Sequence, residues 1–227
     1  TLLGQNVNAY GKDRQDSYTF GDLLRDLDKV GIERIRFTTS HPHDLDLKTM
    51  EAIRDSSSVM PFFHLPVQSG SDKVLRRMNR HYTRQTYLEQ LAKLREIVHG
   101  ISVTTDIIVG FPGETHEDFL ETLSLVDEAK FEGAFTFVYS RRAGTPAASF
   151  EDTTPEDEKK ARLHTLNEHV NAGYKDGNNR FLGKTVKVLV DGESRHGNGI
   201  YSGYSEHNKL VNLPGTPDMV GQIVDVR

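Results

Sequence analysis

Five times within the first 150 residues, a short apolar run ends in a polar cluster and then gives way to a helix-like segment. The clusters are GQNVN, TTSHPHD, HLPVQSGS, GFPGET and YSRRAGT. Between them lie SYTFGDLLRDLDKVG, LKTMEAIRDSS, SDKVLRRMNR with RQTYLEQLAKLREIVHG, and HEDFLETLSLVDEAKF, each with apolar residues near helical spacing. A strand that returns to its sheet through a helix runs parallel to its predecessor with a right-handed crossover, and the sheet is then covered on both faces. ISVTTDIIVGF, rich in β-branched residues, reads as the clearest strand. The expected fold class is therefore α/β, with five parallel strands in an open doubly wound sheet or part of a (β/α) barrel.

The rhythm stops after Ser149. Residues 153–180 are polar, carry Pro155 where a first helical turn tolerates it, and read as one connecting helix. Beyond Gly183 come KTVKVLVDG, GIYSGYS, KLVNL and GQIVDVR, short strands parted by turn residues. They read as a small antiparallel barrel or sandwich without a closing strand. The expected division is 1–152, 153–180 and 181–227. An opening at TLLGQN with no Met, and an end at QIVDVR, give the expectation of a piece of a longer chain.

Composition excludes more than it assigns. Lys and Arg total 28 against 33 Asp and Glu, a formal charge of −5, so positive charge does not coat the chain, although local basic patches remain open to it. No apolar run approaches the roughly 18 residues of a membrane helix, and no signal-peptide pattern is present, so a cytoplasmic location is expected. With no cysteine, disulfides and thiolate metal sites are ruled out within these residues. Walker A, GxGxxG, HExxH and GxSxG patterns are all missing, and HPHD (His41, His43, Asp44) reads as a strand-end turn.

Parallel strands bring their C-terminal ends to one face, where ligands bind. That face would gather Gln5, Asn6, Ser40, His41, His64, Gln68, Asp106, Glu114, Tyr139 and Arg142 into one ligand site. GFPGET sets Gly110 and Gly113 around Pro112 before a helix beginning at Thr115, where backbone N–H groups can approach a carboxylate, ribose or adenine.

LLGQNVNAYG, FTTSHP, HLPVQSGSDKVLRRMNRHYT, TTDIIVGFPGET, AFTFVYSRRAGTPAA and SGYSEHNKLV, in that order, resemble the radical S-adenosylmethionine methylthiotransferases. The resemblance spans nearly the whole chain. It implies a partial radical-SAM barrel followed by a TRAM-like RNA-binding β-domain, cut short. It also implies S-adenosylmethionine and two [4Fe-4S] clusters whose cysteines lie before Thr1, so that no metal ligand is expected here and this piece alone is expected to be inactive. LPVQSGS and AFTFVYSRRAGTPA resemble the branch that methylthiolates C2 of N6-isopentenyladenosine next to the anticodon. Sister branches acting on N6-threonylcarbamoyladenosine in tRNA or on a ribosomal protein share the framework, and a non-catalytic RNA-binding protein is the alternative from another class.

By this resemblance Gln5 and Asn6 lie at the methionyl end of the cofactor, Ser40, Gln68 and Ser69 beside its ribose and carboxylate, and Asp106, Ile108 and Gly110 along its adenine. His41, His64, Glu114 and Tyr139 complete the implied cofactor set. Arg77 and Arg80, spaced three apart on one expected helix face, with Arg84, Arg141 and Arg142, are the implied contacts to tRNA phosphates. Tyr201, Tyr204 and Lys209 are the implied RNA contacts of the β-domain. The other implied partner is a flavodoxin- or ferredoxin-type reductant, with no membrane and a monomeric full-length protein.

Overall fold

The computed structural model describes residues 1–195 and 197–227. Three strands form a parallel sheet in the order β1 (Phe62–His64), β2 (Ser102–Val109) and β3 (Gly133–Val138). Two further segments extend it by single parallel bridges, Ile35 to Val59 and Leu2 to Phe37. Five segments therefore run parallel in an open arc, as the alternation requires. The outer two are too short for a full ladder, holding on through bonds such as Leu2 N–H to Arg36 O (2.8 Å) and Ile35 N–H to Ser58 O (2.7 Å).

Six helices accompany the arc: α1 (Phe20–Asp28), α2 (Leu47–Asp55), α3 (Asp72–Arg77), α4 (Arg84–Ile97), α5 (His116–Ala129) and α6 (Glu156–Asn179). Local chemistry sets their starts. Thr19, Thr83 and Thr115 each accept from the N–H three residues on, and the side chain there answers back, closing a capping box. The core between helices and sheet is continuous, with Phe20, Phe37 and Phe63 in successive edge-to-face contacts at 5.0 and 5.3 Å. Buried Tyr87 satisfies its hydroxyl on Leu65 O at 2.7 Å.

Two helix boundaries differ from the sequence reading. The basic helix ends at Arg77 because Asn79 takes a left-handed conformation (φ 58°), and the Arg80 N–H folds back onto Leu75 O. Arg77 and Arg80 therefore do not share a helix face. Pro155 caps α6 from outside its first turn. Nor is α6 only a connector, since it packs on β3 and α5 and sends Leu166 and Val170 into the arc's core.

Beyond α6, β4 (Val186–Glu193), β5 (Ile200–Ser205), β6 (Leu210–Pro214) and β7 (Ile223–Val226) form an antiparallel sheet in the order β6-β5-β4-β7. Its ends do not pair with each other, and a register shift between Val190 and Gly192 bends β4. The small core holds Val188, Val190, Tyr201 and Leu213. This sheet is tied to the arc at the end where β3 begins. Lys209 donates to Glu132 O (2.9 Å) and lies over the Tyr174 ring, while Arg34 donates to Lys187 O and Tyr204 O.

Candidate cofactor and nucleic-acid site

Strand alternation decides which side chains reach the inner face of the arc. On β2, Val103, Thr105, Ile107 and Val109 are buried, whereas Thr104, Asp106 and Ile108 lie on the other, less covered face. At the C-terminal ends of β2 and β3 a cavity of about 580 Å³ is lined by Gln68, Arg80, Asp106, Ile108, Tyr139 and Arg142, among others. Gln68 is buried and holds a left-handed φ of 70°, a conformation costing roughly 1–2 kcal/mol for a residue with a Cβ. Two bonds to β2 enforce it: Gln68 N–H to Asp106 O (2.8 Å) and Ile108 N–H to Gln68 O (2.9 Å). Tyr139 stacks edge-on against Phe111 at 4.9 Å, and its hydroxyl is buried with no partner among the described residues. Arg80 and Arg142 also lack side-chain hydrogen bonds there. His64 lies below the cavity, with Nδ1 2.9 Å from Thr104 Oγ1 and Nε2 3.4 Å from Asp106 Oδ1.

A second cluster forms where the first two segments end. Asn6 donates to Asp44, and its carbonyl oxygen is buried and unpaired, as is the Ser40 hydroxyl. Burial would raise the Asp44 carboxyl, but Lys12, His43 and Asn6 hold it down at about 2. Burial, with help from the Arg80 charge, lowers the His41 pKa. Gln5 is exposed.

The remaining residues singled out from the sequence brace the site from behind. Ser69 is buried against Thr122 of α5, and Gly70 has no room for a Cβ, which would meet Glu121 O at 2.6 Å. Glu114, 3% exposed, turns away from the cavity, accepting from Gly110 N–H (2.7 Å) and from Arg162 of α6 (2.8 Å). Gly110 has φ 69°, and a Cβ there would press on the Lys159 stem at 2.6 Å. Burial pushes the Glu114 carboxyl up while Gly110 and Arg162 oppose it. Arg162 stays charged between Glu114 and Glu158. Sequence reasoning missed Arg162 and Lys159, because a lone cation in a polar helix carries no sign that it is buried.

Several residues implied as RNA contacts are engaged within the chain. Arg77 donates to Pro112 O (3.1 Å) and covers the Phe150 ring at 4.7 Å. Arg84 binds Glu128 (2.8 Å) and Glu121 O (2.6 Å), while Arg141 donates to Phe150 O (3.4 Å). Tyr201 belongs to the small core, and Lys209 forms the tie to Glu132. The Tyr204 ring remains partly exposed.

An open arc of parallel strands with a polar cavity at their C-terminal ends defines a partial-barrel α/β protein. Coproporphyrinogen III oxidase (HemN) of Escherichia coli, a radical SAM enzyme, shares this fold at TM-score 0.53 and 16% identity, over 88% of this chain and 57% of that one. The chain belongs to the Radical SAM superfamily, whose sequence pattern matches residues 4–126, and a TRAM domain pattern matches residues 179–227. Two similar proteins bear the name tRNA-2-methylthio-N(6)-dimethylallyladenosine synthase. That of Oceanobacillus iheyensis is 52% identical over 227 residues, covering 100% of this chain and 44% of the relative. That of Acetivibrio thermocellus is 50% identical over 228 residues, covering 100% and 48%. The chain thus spans about half the length of these relatives.

Proposed function

We propose that this chain is the cofactor-holding and tRNA-facing part of an enzyme that methylthiolates C2 of N6-dimethylallyladenosine beside the anticodon. The observation that carries this reading is the single cavity in which Gln68, Asp106, Ile108 and Tyr139 meet the unpaired Arg80 and Arg142. The residues present suit S-adenosylmethionine. A buried polar atom without a partner costs roughly 1–3 kcal/mol, and the Tyr139 and Ser40 hydroxyls and the Asn6 amide oxygen each stand ready for a polar ligand. When bound, that cofactor supplies radical chemistry able to take hydrogen from an unactivated carbon. The chain orients it through the Gln68 amide and Tyr139 hydroxyl, offers Asp106 as acceptor to ligand hydroxyls, and excludes water with Ile108. Arg80 and Arg142 face the RNA phosphates.

The residues present do not suit an iron–sulfur cluster. There is no cysteine, and among the described residues no group of three His, Asp or Glu is placed to hold a metal ion. The two [4Fe-4S] clusters therefore belong to the rest of the protein, which takes electrons from a flavodoxin- or ferredoxin-type partner and works as a cytoplasmic monomer.

The test uses the full-length protein. Nucleoside mass spectrometry of tRNA from cells lacking it should show the 2-methylthio mark gone; persistence of the mark overturns the reading. Gln68→Ala and Tyr139→Phe should each weaken S-adenosylmethionine binding by calorimetry roughly fivefold to tenfold, the worth of about one hydrogen bond. Replacing Arg80 and Arg142 with Ala should flatten the slope of log tRNA affinity against log salt by roughly 0.7–0.9 per phosphate lost.

A further inference from the structure

We propose that Phe135 and Phe137 form an apolar wall that receives the N6 substituent of the substrate base and so selects prenylated over unmodified adenosine. The inference rests on the tRNA reading above and deepens it. Along β3, Ala134 and Val138 pack on the core and Thr136 bonds Asn167 of α6 at 2.6 Å. Phe135 and Phe137 therefore point the other way, onto the inner face, in register with Asp106 and Ile108 of β2. They are 60% and 50% exposed. A parallel sheet is ordinarily covered on both faces, so two half-bare aromatic rings side by side mark a surface that another body covers.

What covers it follows from what adjoins it. Phe137 lines the same cavity as Gln68, Asp106 and Tyr139, so the apolar wall begins where the polar groups end. Phe135 continues it inward, its ring 5.9 Å from the His64 ring in an edge-to-face contact. A purine carrying a branched hydrocarbon tail matches this division, with its ring beside the cofactor that Gln68 and Asp106 hold and its tail along the two phenylalanines. An unmodified adenine leaves the wall bare. A threonylcarbamoyl group would bring its carboxylate against two apolar rings and towards the Asp106 carboxylate, which both disfavour.

The test compares three anticodon stem-loops in the full-length, cluster-loaded protein, with dimethylallyladenosine, adenosine or threonylcarbamoyladenosine at the target position. Equilibrium affinity and kcat/KM are measured for wild type, F135A, F137A and the corresponding Leu variants. The wild type should prefer the prenylated RNA. Each Ala variant should narrow that preference by roughly tenfold or more, through loss on the prenylated RNA alone, while Leu retains most of it. Should Ala at either position lower the melting temperature, the Leu variants and a Phe137→Ser variant carry the comparison, with Ser losing the preference and Leu keeping it. An unchanged preference, or an equal loss on all three RNAs, overturns the proposal and gives the wall to the fold, to another segment of the longer protein or to a second copy. A wild type that modifies no tRNA defeats the broader reading. One that modifies prenylated and bare RNA equally sinks only the wall.

Discussion

Arg80 and Arg142 of the arc face a cavity with no side-chain partner, whereas two cations of the small sheet, Lys187 and Lys209, are engaged within the chain. Lys187 pairs with Asp225 at 3.2 Å and Lys209 anchors to Glu132 O at 2.9 Å. The buried apolar residues differ as well, a continuous core under the arc against four side chains in the sheet. A region with a large core can hold polar groups unpaired at its rim and Gln68 in a left-handed conformation, because burial elsewhere offsets the cost. The small sheet, with its smaller core, holds one such group among the described residues, His207 Nδ1, and uses Lys187 for pairing and Lys209 for attachment.

The largest expected effect tests the core. Phe37→Ala in the full-length protein should cost about 3–5 kcal/mol in denaturant unfolding. Val190→Ala in the small sheet should cost less; equal losses would erase the contrast. Arg162→Met comes next. It leaves Glu114 buried and unpaired, so about 3–5 kcal/mol should be lost. S-adenosylmethionine affinity should fall with it, since the Gly110–Glu114 loop loses its brace, and adding Glu114→Gln should recover part of both.

Lys209→Met removes one of the ties between the regions, leaving those of Arg34. A hydrogen bond from a charged donor is worth about 1.5–3 kcal/mol, and hydrogen exchange should quicken in β5 and β6 ahead of β2. Uniform quickening would mean that the sheet and the arc unfold as one unit.

The smallest effect is in acid. Burial would raise the Asp118 carboxyl, but Lys73, the Thr115 N–H and Ser71 hold it at about 2, against 3.8 for a free side chain. Its folded value is depressed, so its contribution is complete above about pH 4 and is lost as pH falls towards 2. The loss is on the order of 1–2 kcal/mol and should vanish in Asp118→Asn. Among the described residues the small sheet buries no carboxylate, so acid should loosen the arc first.

Most of the fold was legible because its signals repeat. The alternation of strands and helices gave the arc, and three capping threonines sit one residue before α1, α4 and α5. The site was legible in part. Polar residues at strand ends pointed to Gln68, Asp106 and Tyr139, and period-two alternation puts Asp106 and Ile108 on the inner face opposite Ile107. Not legible were the partners of single side chains where those partners are remote in sequence. Arg77, Arg84 and Lys209 are implied as RNA contacts by the resemblance, and their partners within the chain lie from 35 to 77 residues away. Glu114 looked like a ligand contact until α6 brought Arg162 to it across 48 positions. The stop at Asn79 was invisible because nothing apolar marks it.

The attachment of the small sheet where β3 begins, with the cavity where β3 ends, has a geometric consequence. Six residues separate the two places, about 20 Å at roughly 3.3 Å per residue. The sheet is therefore no lip of the cavity: a small ligand filling the cavity reaches one end of β3 only, and a body must be longer than the strand to touch both.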